Sequence, residues 1–318
     1  MPFSNVTPEI FTEFIITGFN GVEHPRTIGF VILAIYAFIL LGSSINIYII
    51  SRDKHLHTPM YFFICNLAVV DILYSTSVSP VMMVILIADM KTISYKPCLT
   101  QMFMFHFGGV MEIFAITLMA YDRLIAISYP LRYHSILTRT RILGLAVATW
   151  ALGSALTAIF TGTADRLPYC LPALKYAFCD YAALVRAACV NPDEYFVLST
   201  VISFFALFGT FTFIALSYLK IIFAVVKISS PSARKKMFST CLTHLIVVAC
   251  VFAPPFVSII LTRLGLVLSL KERHILLIGS CLGPSLLNPF VYCLRTKEIR
   301  SQLLRIFKTV EPTIEPIK

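Results

Sequence analysis

Residues 27–51 read TIGFVILAIYAFILLGSSINIYIIS, and no charged side chain interrupts them. A helix needs about 20 apolar residues to cross ~30 Å of hydrocarbon, so this stretch can span a bilayer. Four more charge-free runs follow at 142–164, 195–219, 237–262 and 274–294. Two others, 58–88 and 97–121, are as long and carry one acid each, Asp71 and Glu112. Backbone groups in lipid must be paired within the segment, and for runs of this length only a helix does that. The expected fold is therefore all-α, a seven-transmembrane helix bundle. Composition agrees. Hydrophobic residues make up 58% of the 318-residue chain and charged residues 13%, against roughly 45–50% and 25% in a soluble domain.

Orientation follows from the basic residues, which favour the cytoplasmic side. With the N-terminus outside, 17 of the 26 lysines and arginines fall on the inner side. The chain then divides into an extracellular N-terminus (1–26), a seven-helix domain (27–294) and a cytoplasmic tail (295–318). The net charge of +10 becomes mostly an inner-leaflet feature that suits anionic lipid, and no nucleic-acid partner is expected. The first 26 residues lack the pattern of a cleavable signal peptide, so span one is expected to serve as the insertion signal. Asn5-Val6-Thr7 is a glycosylation sequon on the outer side, which makes Asn5 the expected acceptor. In the tail, Ile299, Leu303, Ile306 and Phe307 recur at helical spacing with basic residues between them. That pattern predicts a short amphipathic helix lying on the inner surface.

Five of the nine cysteines, Cys65, Cys241, Cys250, Cys281 and Cys293, fall within spans and read as small apolar residues. The other four lie outside: Cys98 at the start of span three, and Cys170, Cys179 and Cys189 in the long loop between spans four and five. An even number in an oxidising compartment fits two disulfides. Four cysteines permit three pairings, and spacing does not choose among them.

Motifs at the span boundaries carry a family resemblance. Leu56-His57-Thr58-Pro59-Met60-Tyr61-Phe62-Phe63 leads into span two. Met119-Ala120-Tyr121-Asp122-Arg123 ends span three, followed by Tyr129-Pro130-Leu131-Arg132-Tyr133. Lys236-Met237-Phe238-Ser239-Thr240-Cys241-Leu242-Thr243-His244 opens span six, and Pro284-Ser285-Leu286-Leu287-Asn288-Pro289-Phe290-Val291-Tyr292 closes span seven. Together they resemble the olfactory receptor signature within the rhodopsin-like G-protein-coupled receptors, over nearly the whole chain. The sequence departs from that pattern in span one. Gly42-Ser43 stands where the family has Gly-Asn, and an asparagine follows one turn later at Asn46. His106 together with Thr262-Arg263-Leu264-Gly265 resembles the class I branch of the family.

The resemblance implies a seven-helix receptor that binds a small odorant among the outer helix halves and activates a heterotrimeric G protein, of the olfactory stimulatory type that raises cyclic AMP. It implies the plasma membrane, in the cilia of sensory neurons. With it goes an expected disulfide pairing, Cys98 with Cys179 and Cys170 with Cys189. It also implies a switch at the inner end in which Arg123, held at rest by Asp122 and groups on span six, is released on activation, with Tyr218, His244 and Tyr292 on the facing spans.

Asp71 and Glu112 are the only carboxylates deep in the spans. A buried carboxylate without a partner is costly, so a sodium ion bridging them near Asn288, or a shared proton, is expected. No other cofactor is expected. His244 and Cys241 offer too few ligands for a metal. Pro254, Pro255 and Pro289 lie inside spans, where proline removes a helix hydrogen bond and supplies a hinge. Phe252 just before the first pair is placed to sense ligand. His106 in the outer third of span three and Arg263 at the outer end of span six are candidate ligand contacts. A guanidinium there can hold a carboxylate bidentately, which suggests acidic odorants. Met102, Phe105, Gly109, Val110 and Ile259 would complete an apolar pocket.

Other functions fit less well. No His-Glu-x-x-His or paired-aspartate motif marks an enzyme, and no internal repeat marks a transporter. Span seven lacks the lysine that a retinal Schiff base requires. An amine receptor would carry an acid near position 105, where Phe105 stands. The alternative that remains is a non-olfactory rhodopsin-like receptor for a small carboxylate metabolite.

Overall fold

The computed structural model describes residues 12–263, 270–295 and 299–303. Seven of its helices are long and apolar enough to cross a membrane: α1 (Pro25–Arg52), α2 (Pro59–Ala88), α3 (Tyr95–Ser128), α5 (Arg139–Asp165), α7 (Pro192–Val226), α8 (Pro231–Arg263) and α9 (Leu270–Arg295). Two short helices lie between them, α4 (Tyr133–Ile136) on the inner side and α6 (Tyr181–Ala187) on the outer side. Local chemistry sets the helix starts. Pro25, Pro59 and Pro192 occupy first-turn positions, where proline's missing N–H costs nothing. Asn191 accepts from the Asp193 backbone N–H at 3.2 Å, and the acids Asp193 and Glu194 follow in the first turn of α7, where the helix dipole favours them.

The bundle is apolar on its outside as well as within. Phe205, Phe223 and Leu216 on α7 are 70%, 69% and 60% exposed. Such a surface in water would be an aggregation site, and in lipid it is solvated. Helix α3 runs through the middle, packed against α2, α5, α7 and α8. Its close approach to α2 depends on Gly108, where a Cβ would come within 2.6 Å of the Tyr74 ring. Gly42 does the same for α1 and α9, since a Cβ there would lie 2.7 Å from the Pro289 side chain.

The outer end carries a small sheet that the span pattern does not reveal. Strand β1 (Glu13–Ile16) pairs antiparallel with β2 (Thr92–Ser94) and parallel with β3 (Ala173–Leu174). The loop between α5 and α7 is thus built of a strand, a helix and cross-links. Cys98 and Cys179 are bonded across a sequence separation of 81, and Cys170 and Cys189 across 19.

Candidate functional site: an outer aromatic enclosure and an inner polar cluster

At the outer end, the disulfide from Cys98 on α3 draws the loop down onto the helix. The Cys179 backbone N–H also donates to Gln101 Oε1 at 3.1 Å, so the residues around Cys179 are fixed twice. His106 lies eight positions further along α3, about 12 Å deeper at 1.5 Å per residue. Its Nε2 is 3.2 Å from Oδ1 of Asp180, the residue that follows Cys179. The other carboxylate oxygen of Asp180 accepts from the Ala182 N–H at 3.2 Å and caps α6. Aromatic rings surround this contact. Phe105 and Phe160 lie 5.0 Å and 5.4 Å from the His106 ring, Phe178 packs on Phe105, and Tyr181 packs on Phe160. Asp180 escaped the sequence reading. Its signal was there as a helix-capping residue type before the apolar turn Tyr181–Ala187.

The other expected pocket residues divide. Phe105 is buried among Tyr74, Phe178 and Cys281. Gly109 faces the Tyr74 hydroxyl. Met102 is fully buried against the loop, with Phe160 and Leu184 in the same cluster. It packs that lid. Val110 packs toward Trp150 and Phe107. Phe252 is 2% exposed, with Phe211 at 5.5 Å and Phe256 at 6.2 Å between ring centroids. The side chains of Ile259 and Arg263, and all of Asn5, lie outside what the structure describes.

Midway down the bundle, Asn288 Nδ2 on α9 donates to both oxygens of Asp71 on α2, at 2.9 and 3.2 Å. Glu112 on α3 is buried as well. Its Oε1 is buried without a hydrogen-bond partner, as is Asn288 Oδ1. Asn46 is also buried and lines a tight polar niche with Asp71, Asn288 and Tyr292. It thus brings an amide to the cluster one turn away from the family's usual position, whereas the Ser43 hydroxyl is buried without a partner. These are oxygen donors of the kind a hard monovalent cation takes.

The inner end joins four spanning helices through hydrogen bonds. His244 Nδ1 on α8 meets the Tyr218 hydroxyl of α7 at 2.8 Å, and Nε2 meets the Ile116 carbonyl of α3 at 3.2 Å. A carbonyl only accepts, so Nε2 carries the hydrogen and a neutral ring takes the Tyr218 proton at Nδ1. Tyr292 on α9 directs its hydroxyl at Met119 Sδ of α3, at 3.7 Å. One expectation is corrected here. Asp122 makes no direct ion pair with Arg123. It accepts from the Tyr133 hydroxyl at 2.6 Å, while Arg123 Nη2 lies 3.1 Å from Met60 Sδ. Neighbouring helix residues do not share a face, so Asp122 turns to α4 and Arg123 turns to the start of α2. Burial, and then the Asp122 carboxylate, hold the Tyr133 hydroxyl above its ordinary pKa, which keeps it a donor. The tail begins beside this region. Ile299 is fully buried, and Gln302 Nε2 donates to Asp53 Oδ2 at 2.8 Å.

A seven-helix bundle with a cross-linked lid outside and a hydrogen-bonded polar cluster inside is the architecture of a G-protein-coupled membrane receptor. The olfactory receptor family profile matches residues 32–309. Human olfactory receptor 10G4 is 36% identical over 300 residues, covering 93% of this chain and 95% of that protein. Mouse olfactory receptor 2A7 is 36% identical over 306 residues, covering 94% and 97%. Human olfactory receptor 10D3 is 38% identical over 303 residues, covering 93% and 94%. The chain belongs to the olfactory receptor family. It is a multi-pass plasma-membrane receptor and not an enzyme. The metabolite-receptor alternative is not favoured.

Proposed function

We propose that this odorant receptor binds a small, largely apolar ligand beneath the loop that Cys98 and Cys179 staple to α3, and signals through a stimulatory G protein to cyclic AMP. The observation that carries the reading is the aromatic enclosure of His106 by Phe105, Phe160 and the Asp180 loop. It offers apolar walls with a few polar groups, the usual make-up of a small-molecule site. Ligand contact beneath the lid shifts the population toward a state in which the inner end of α8 moves outward, with Phe252 in its aromatic cluster between the two ends. Residence in sensory cilia belongs to the same proposal.

Acidic odorants, expected from the sequence, would rest on Arg263 alone, because the Asp180 carboxylate beside His106 opposes a second one. The test is a cyclic-AMP assay in cells against an odorant panel that includes carboxylic acids, with Arg263→Ala alongside. Acids that activate the wild type and lose potency in the variant support a carboxylate contact. Acids that activate neither protein, or both equally, remove it. Asp71, Glu112 and Asn288 are proposed to hold a sodium ion, supported by the two buried oxygens that have no partner. Ligand responses measured against sodium concentration in wild type and Glu112→Gln test this, and the same sodium dependence in both would sink it.

A further inference from the structure

Among the described residues, Asp180 is the carboxylate that the structure places against His106, and it is held there firmly. The neighbouring Cys179 is bonded to Cys98 and hydrogen-bonded to Gln101. One carboxylate oxygen caps α6, and the other lies 3.2 Å from His106 Nε2. The Asp180 side chain is only 13% exposed, and its neighbours Phe105, Phe160, Phe178 and Tyr181 are aromatic. Helix α6 carries one cation, Arg186. Arg186 donates to the Tyr176 hydroxyl and lies 5.2 Å over the Phe196 ring. Although close to Asp180, His106 Nε2 makes no hydrogen bond of good geometry and is buried. A polar pair is therefore present whose hydrogen-bonding capacity is not used up.

We infer that Asp180 sets the ligand preference of this receptor, favouring neutral hydroxyl-bearing odorants over carboxylates. The inference rests on the pocket reading proposed above and names its ligand class. A hydroxyl both donates and accepts. It can give its hydrogen to Asp180 Oδ1 and receive one from His106. A carboxylate only accepts, and it meets a like charge within apolar walls, where like charges disfavour one another strongly. Apolar chains of equal length fill the aromatic enclosure equally, so the head group decides.

The experiment compares straight-chain alcohols and carboxylates in pairs of matched length, in cells expressing the full chain as wild type or as Asp180→Asn. Asparagine still caps a helix, so α6 is retained and only the charge is removed. The wild type is expected to respond to the alcohol of a pair at lower concentration. Asp180→Asn is expected to move the acid-to-alcohol potency ratio toward the acid by about tenfold, one order of magnitude in relative affinity. The ratio is taken within one receptor, so surface abundance cancels. A wild type that prefers the acid, or a ratio unchanged by the substitution, overturns the inference while leaving odorant binding intact. Silence of both proteins to every pair overturns the pocket reading as well. Should Asp180→Asn not reach the surface, Asp180→Ser, a second uncharged cap, is read in the same way.

Discussion

The two ends of the bundle are joined by bonds of different kinds. Outside, α3 is tied to the long loop by the Cys98–Cys179 disulfide, and the loop is tied to itself by Cys170–Cys189. Inside, α3, α7, α8 and α9 meet through single hydrogen bonds, from His244 to Tyr218 and Ile116 and from Tyr292 to Met119. Covalent links do not exchange on the time scale of signalling, whereas a hydrogen bond has a net worth of about 0.5–1.5 kcal/mol. The difference assigns roles. The outer end is fixed in shape, and the inner end can change partners. Pro254 and Pro255 stand in α8 between the two.

The largest effect is expected from the outer end. Cys98→Ser should lower the amount of receptor at the cell surface by about tenfold or more, since losing a native disulfide typically costs roughly 2–5 kcal/mol. Surface staining within about twofold of wild type would show that the cross-link is dispensable and the contrast false. Next comes the inner end. His244→Leu removes two hydrogen bonds at once and takes a partner from the buried Tyr218 hydroxyl, a loss on the order of 1–3 kcal/mol. Ligand-independent cyclic AMP per surface receptor should rise several-fold. A basal level equal to wild type would mean that this cluster does not hold the resting state. The smallest effect is expected for Tyr133→Phe. It takes a hydrogen-bond donor from the buried Asp122 carboxylate but frees that carboxylate to turn toward Arg123, so the loss is largely offset. Maximal response should fall by about twofold or less, in concentration–response curves normalised to surface level. A large loss there would move the switch from α8 to α4.

The seven helices were legible in the sequence because a bilayer imposes one length on every span. Their ends were less so. Helix α7 continues from 192 to 226, beyond the charge-free run at 195–219, because helices extend past hydrocarbon into the headgroups and carry Asp193, Glu194 and Lys220 there. The outer sheet was illegible, since strands of two to four residues have no periodicity to read and find their partners across the chain. The inner cluster was legible as a set of residues, but not as a set of partners. Sequence placed Asp122 beside Arg123, and the helical turn sent them to different neighbours. Asp180 was missed because nothing in the spacing says which loop residue a disulfide will press against His106.

The parallel pairing of β1 with β3 sets a timetable for biogenesis. Ile15 pairs with Ala173 and Ile16 with Leu174, so the first strand leaves the ribosome long before its partner exists. At roughly 5–20 residues per second, the wait lasts on the order of ten to thirty seconds, while the first four spans insert. The extracellular face is thus a late-maturing part of the molecule. A newborn chain that stalls at the end of span four would present β1 without β3 and Cys98 without Cys179 on that side, two features by which the quality-control machinery of the secretory pathway could distinguish an unfinished receptor from a finished one.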